Sequence, residues 1–332
     1  MEQFHSLGYS VVGVDNDLRG KLLGDPGAST LWNIRRLEKS LRNFFNFDVD
    51  IRSGEEMEKI IKDRSSSIRA IIHAAAQPAH EGKVVEDYFI NAVGTVTLLD
   101  LWKRYCPDAV FIYVSTIKVY ANYPNTLEYE RRDTRFDLST GHRYFQGFDE
   151  TVSIDQGMSS FFGRSKTAAD LYVQEYVYQY GLKAVCFRAS CLTGGNHSGG
   201  EAHGMLSYMM RCAVTGKPYR VYGYEGLQVR DQLHARDLVS AFIEVLRSPG
   251  ENVIYNIGGG RENACSVLEA ISQCEGLAGR RMDVSFHEMR KGDHIWWVTD
   301  SSRFKVDHPA WKIQWSLRDV YADIYERGKS RW

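Results

Sequence analysis

The stretch LGYSVVGVDNDLRG, residues 7–20, decides how the chain is read. Its apolar run Ser10–Val14 is too short for a helix and reads as a strand, and it stops at two acidic residues, Asp15 and Asp17. Four further short β-rich runs follow: FNFDV (45–49), AIIHAAA (70–76), AVFIYVS (109–115) and KAVCFRA (183–189). Between them lie segments of helical periodicity at 55–63, 85–104 and 165–180. Strands alternating with helices predict a parallel, doubly wound α/β sheet with helices on both faces.

In such a sheet, a strand ending in a carboxylate is the second strand of a Rossmann-type fold, whose acidic side chain holds the ribose of a dinucleotide. A strand and a glycine-rich turn come about 20 residues before that acid. Only fourteen residues precede Asp15, and MEQFHS holds no glycine. The first βα unit is therefore expected to be missing, with MEQFHSLGY as the last turns of its helix.

Beyond Gly194 the texture changes to glycine-rich punctuation, TGGNHSGGEAHG and NIGGGREN, with helical patterns at 203–215, 235–247, 264–275 and 316–326. The expected organisation is a Rossmann-like domain over 1–193 and a smaller, mainly substrate-binding domain over 194–332, with some segments interleaved. The polar stretch 127–144 reads as a solvated insertion, or alternatively as a lid.

With 41 Lys and Arg against 42 Asp and Glu, no overall field attracts nucleic acid or an anionic membrane. The six cysteines form no CxxC pair and no cluster at metal spacing, so no metal site is expected and the thiols read as reduced, which suits the cytoplasm. No run approaches a membrane span and no signal-peptide pattern opens the chain.

The motifs VDND, DVDIRS, AAAQPAH, NAVGT, STIKVY, FDETVSIDQ, FFGRSK, CLTGGNHSG, GLQVRDQLHARDL, YNIGGGREN and KGDHIWW occur in that order. Together they resemble the extended short-chain dehydrogenase/reductase (NAD-dependent epimerase/dehydratase) family of nucleotide-sugar enzymes, and within it the CDP-paratose/CDP-tyvelose 2-epimerases. The resemblance implies NAD as cofactor, a CDP-sugar as the small-molecule partner, and an isomerase that oxidises and re-reduces a sugar carbon. A homodimer is admitted by the same analogy.

The resemblance places Thr116 at the family's catalytic hydroxyl and Lys166 at its lysine. It also places Phe162 where the family's acid/base tyrosine stands. A phenyl ring exchanges no proton, so three readings stay open: another base (Cys191, His197, Tyr144 or Lys166), an inactive nucleotide-sugar-binding relative, or a displaced motif. By the same resemblance Asp15 and Asn16 face the adenosine ribose, Asp50 and Ile51 the adenine, and Ala75, Ala76 and Gln77 the pyrophosphate and nicotinamide ribose. Asn91 braces the sheet, and Lys166 also contacts the nicotinamide ribose. Asp15 favours NAD, while Arg19 keeps the phosphorylated cofactor in view. On the substrate side the resemblance assigns Cys191, Asn196, Arg230 and Arg290, the two arginines as a diphosphate clamp. Dehydratases of the family carry Asp-Glu directly after the catalytic Thr; here those positions are Ile117 and Lys118, which disfavours dehydration.

Overall fold

The computed structural model describes residues 1–77 and 84–332, so residues 78–80 of AAAQPAH lie outside the described residues. Six strands form the parallel layer: β1 (Val12–Val14), β2 (Phe45–Phe47), β3 (Ala70–His73), β4 (Val110–Thr116), β5 (Ala184–Ala189) and β6 (Ile254–Ile257). β3 to β6 make one sheet in the order β6-β5-β4-β3, all parallel, with Phe111 opposite Ala184 and Thr116 opposite Ala189. β1 pairs with β2, Val12 opposite Phe45, as a separate two-stranded piece.

Alternation along β4 builds a core on each face, because successive side chains of a strand point to opposite sides. Phe111 and Tyr113 join Leu98, Trp102, Ala169 and Val173 on one face. Val110 and Ile112 join Phe187, Phe242, Tyr255 and Phe304 on the other. Val14 packs against the first cluster and Val11 against the second, so the β1 segment lies in the same layer as β4. Yet among the described residues no strand pairs with the edges that β1 and β3 turn toward each other. The gap opens into a cavity walled by Val12 and Gly13 on one side and Ile71 and Ile72 on the other. This is where a doubly wound sheet carries its first strand, and the helix Glu2–Ser6 runs into β1 as expected. Val12 and Ile72, at 37% and 36% exposure, are the residues left facing solvent.

The helix Phe161–Tyr180 lies across β4 and β5, capped at its start by Ser160 and ended by Gly181 at φ 64°. A buried ion pair fixes it. Arg188 of β5 donates to both carboxylate oxygens of Asp170, at 3.0 and 2.9 Å, and Ser115 of β4 donates to the same carboxylate at 2.6 Å. Burial alone would raise the Asp170 pKa; Arg188, Ser115 and Cys186 outweigh it and hold the group below the usual carboxylate range.

The periodic segment 85–104 is one helix interrupted by a π-type turn, Phe89–Val93. The bulge turns Asn91 inward. Its Oδ1 accepts from the Gln77 N–H at 2.8 Å and its Nδ2 donates to Ser165 Oγ at 2.9 Å, bolting the end of β3 to the helix Phe161–Tyr180.

Segment 194–332 does not stay apart: its strand β6 and the helix Ala235–Arg247 pack onto the sheet. The helix Ser302–Asp307 also packs there through Phe304, whereas Met205–Thr215, Val267–Ala278 and Leu317–Gly328 share a second core. The strand Val229–His234 links the two regions, pairing parallel with Cys191–Thr193 and with Trp296–Trp297. Residues 264–266, expected as the start of a helix, form a strand antiparallel to Val229–His234, and the helix begins at a Ser266–Glu269 capping box. Most of the stretch 127–144 is exposed, as a solvated insertion would be. It holds a small hairpin, Glu130–Arg131 with Phe136–Asp137, docked by Arg135 on Glu269 and by Phe136 N–H on Leu227 O.

The split layer and the ion pair are each open to measurement. Because β1–β2 lacks a neighbour on the β3 side, its backbone amides exchange with deuterium at least tenfold faster than those of β4 and β5, as read by mass spectrometry. Equal protection would contradict the gap. Arg188→Met leaves a buried, uncompensated Asp170 and lowers unfolding stability by about 3–5 kcal/mol in a denaturant titration.

Candidate active site at the carboxyl edge of the sheet

In an open parallel sheet ligands bind outside the carboxyl ends of the strands, and each run in the sequence hands one candidate to that edge. Asp15 follows β1, Asp50 follows β2, Ala75 and Ala76 follow β3, Thr116 ends β4, and Cys191 lies just beyond β5. All of these line one cavity of about 1710 Å³, together with Asn16, Ile51, Phe162, Lys166, Asn196, Arg230 and Arg290. A single small-molecule pocket is about 300–1,000 Å³, so this volume admits two ligands side by side.

The acidic pair divides its work. Asp17 sits in the left-handed region at φ 51°, and its carboxylate accepts from Ser29 Oγ and Thr30 N–H, both at 2.7 Å, so it anchors the turn. Among the described residues Asp15 is bonded through Oδ1, which accepts from the Asp17 N–H at 2.8 Å and the Thr30 hydroxyl. Asp50 is held by Arg52 at 2.7 and 2.8 Å and by Asn16 at 3.2 Å, which lowers its pKa and links the two expected adenosine contacts. Arg19 is committed elsewhere: it donates to the Ser198 and His203 carbonyls and lies 3.3 Å from His197 Nε2. It clasps the loop 197–203 and is not held ready for a phosphate on the ribose.

Gln77 and Asn91 stand off the cavity wall, hydrogen-bonded to each other in the buried layer beneath it. Gln77 also donates from Nε2 to Asp87 at 2.9 Å. They lie in the layer beneath Ala75 and Ala76, which line the cavity.

Thr116 closes β4 with its Oγ1 accepting from the Lys118 N–H at 3.3 Å. Lys166, 3% exposed, donates from Nζ to the Val114 carbonyl at 2.7 Å and stands over the Tyr113 ring at 4.2 Å. Burial lowers its pKa from 10.5 to about 8. Phe162, one turn earlier on the same helix, presents a half-buried apolar face to the cavity.

At the far end Arg230 pairs with Asp293 at 2.7 Å, not with its neighbour Asp231, which instead accepts from Ser190 and from the Gly260 N–H. Lys118, buried, donates to the same Asp293 oxygen at 3.1 Å and to the Gly292 carbonyl at 3.0 Å. Arg290 lies over the Tyr222 ring at 3.9 Å and donates to the Glu201 carbonyl, so it is no stray surface charge. The Lys118–Asp293–Arg230 triad was missed by sequence reasoning, although Asp293 stands inside the quoted motif KGDHIWW. Tyr144 packs in the core, 4.8 Å from the Phe148 ring and away from the cavity wall.

The adenosine-side carboxylate, the small residues after β3, and the Thr116–Lys166 pair line one continuous wall, a donor set that fits a dinucleotide. Among the described residues no strand with a glycine-rich turn precedes Asp15 at this wall. Residues 1–258 match the NAD dependent epimerase/dehydratase family. The chain is 29% identical over 297 residues to the CDP-paratose 2-epimerase of Salmonella typhi, covering 86% of this chain and 85% of that protein. It is 25% identical over 336 residues to UDP-glucose 4-epimerase 2 of Arabidopsis thaliana, covering 96% and 87%. The fold superposes on the UDP-glucuronic acid 4-epimerase of Bacillus cereus, solved with UDP-glucuronic acid and NAD, with a TM-score of 0.75 at 19% identity, covering 99% and 94%. With its carboxyl-edge site and this match over most of its length, the chain belongs to the NAD-dependent epimerase/dehydratase family.

Proposed function

We propose that the protein binds NAD and a nucleoside-diphosphate sugar, most specifically a CDP-6-deoxyhexose, in the one cavity and inverts C2 of the sugar by transient oxidation and re-reduction. The observation that carries this reading is the continuity of the cavity from Asp15 through Thr116 and Lys166 to Arg230 and Arg290. Asp15 and Asn16 would hold the adenosine ribose, Ile51 would bound the adenine, and Ala75 and Ala76 would let the cofactor backbone approach closely. Lys166 would orient the nicotinamide ribose. Bound NAD supplies the hydride acceptor and donor.

Arg230 and Arg290 are guanidinium forks suited to phosphate oxygens. Asp293 holds Arg230 at the wall. Cys191 pairs in register with Gln232, two residues beyond Arg230, and with Asn196 it would bound the sugar between diphosphate and nicotinamide. Thr116 would donate its hydroxyl to the sugar oxygen as carbonyl character develops there. Ile117 is buried in the core and Lys118 is engaged by Asp293, so the two positions after Thr116 offer no acid and base for eliminating water.

The CDP-paratose 2-epimerase relationship supports the choice of nucleotide and carbon. Exposed apolar side chains on neighbouring helices, Tyr88 and Phe89 with Leu171 and Tyr172, support a homodimer. A second reading, a nucleotide-sugar-binding relative without turnover, is favoured by one observation: Phe162 puts a phenyl ring on the cavity wall where the family's proton carrier stands.

NMR of CDP-paratose incubated with protein and NAD separates the two readings. The C2 proton signal converts to that of the inverted configuration if the first holds, and stays unchanged despite saturable binding if the second holds. Arg230→Met weakens nucleotide-sugar binding at least tenfold in calorimetry while NAD binding is retained; equal binding would remove the clamp.

A further inference from the structure

We propose that Lys166 is the general base of this site, its Nζ accepting the sugar hydroxyl proton as the carbon is oxidised and returning it on reduction. The inference rests on the reading of the site as an epimerase, and it answers what replaces the phenol that Phe162 lacks.

The geometry carries it. Lys166 lines the cavity between Thr116 and Phe162, and its only hydrogen-bond acceptor among the described residues is the Val114 carbonyl. Among the same residues no carboxylate forms an ion pair with it. The nearest acidic group, Asp170 one turn along the same helix, is already bound by Arg188, Ser115, Cys186 and Gln174. From β3 it faces His73, whose Nε2 meets Thr95 Oγ1 at 2.8 Å and which burial keeps neutral, its pKa near 3. From β4 comes the Tyr113 ring. From β5 comes the Cys186 thiol, which burial keeps protonated.

An ammonium enclosed this way has lost its water and gained no counter-ion, so the neutral amine is far easier to reach than for a lysine in water. Burial drives the pKa down, and Cys186 and Asp170 restore only part of the loss, leaving it at about 8. Phe162 contributes by keeping that environment apolar.

The competing groups fail on position or protonation. Tyr144 is off the cavity wall. His197 lies against Arg19 in the clasped loop, its pKa pushed down to about 3 by desolvation. The Cys191 thiol is pushed up to about 11 by desolvation, despite Arg230 and Lys118 nearby. The Lys118 ammonium is occupied by Asp293 and Gly292.

In the oxidative step the sugar O–H bond breaks and its proton bonds to the Nζ lone pair. The O–H electron pair becomes the second bond of the carbonyl, and the carbon's hydrogen leaves with its electron pair to the oxidant, bound NAD. In reduction the hydride returns to the opposite face of the carbonyl carbon, which inverts it, and the proton on Nζ returns to the oxygen, so no proton or electron is left over.

The test has two arms on the full-length protein. In the first, NMR of 13Cε-labelled lysines follows the resonance that disappears in Lys166→Arg. Titration near pH 8 supports the proposal; titration near the ordinary value of about 10.4 overturns it. This arm holds even if no nucleotide sugar is turned over, in which case the epimerase reading alone fails. In the second, Lys166→Ala loses about 100- to 10,000-fold of the sugar oxidation rate, and added primary amines restore part of it in proportion to their basicity. Retained activity overturns the proposal, as does a failure of amines to rescue a variant that still binds NAD.

Discussion

The site depends on one buried contact, the Arg188–Asp170 pair with Ser115 hydrogen-bonded to it. It joins β5, the helix Phe161–Tyr180 and β4 at a single carboxylate. Asp170 lies four residues beyond Lys166, so fixing one on the sheet fixes the other one turn nearer the carboxyl edge. Two charges buried together bring little net stability, but separating them is costly. The pair therefore acts as a positional constraint: the helix cannot slide or rotate on the sheet without exposing an unmatched charge. Thr116, at the end of the strand that carries Ser115, is set by the same contact.

The parallel layer was legible because its strands are short runs rich in β-branched and aromatic residues, so AIIHAAA and AVFIYVS stand out against helical periodicity. The acidic tip at Asp15 was legible for a related reason, since a carboxylate closing a buried strand lands at the edge where such a sheet receives its ligands. Less was visible where pairing is set at long range. Cys191–Thr193, Trp296–Trp297 and Ala264–Ser266 are two or three residues long and owe their extended form to the strand Val229–His234. Lys118 and Asp293 meet across 175 residues, and Arg19 reaches a carbonyl 179 residues away. No local pattern announces such partners. The π-type turn at Phe89–Val93 was hidden inside an otherwise regular helical period, though the Asn91 it turns inward was visible in NAVGT.

The separation of β1–β2 from the other four strands sets the character of the cavity. Its wall includes backbone edges and apolar side chains that a continuous sheet would cover, so the adenosine side is more open than the Thr116–Lys166 side. The clasp of Arg19 on residues 197–203 partly compensates: it ties the turn after β1 to the loop next to Asn196. Phe162 acts in the opposite sense at the reacting centre, removing a titrating group and leaving a dry wall beside Lys166. On the proposal that Lys166 is the base, chemistry that a phenol carries elsewhere in the family would fall to this buried amine.

If one cavity couples a bound nicotinamide to a sugar carbon, stopped-flow absorbance shows it after NAD-loaded protein is mixed with CDP-paratose. Reduced nicotinamide is expected to rise and decay within the turnover, as hydride leaves the sugar and returns. Tight binding of the sugar with no reduced nicotinamide at any pH would contradict it.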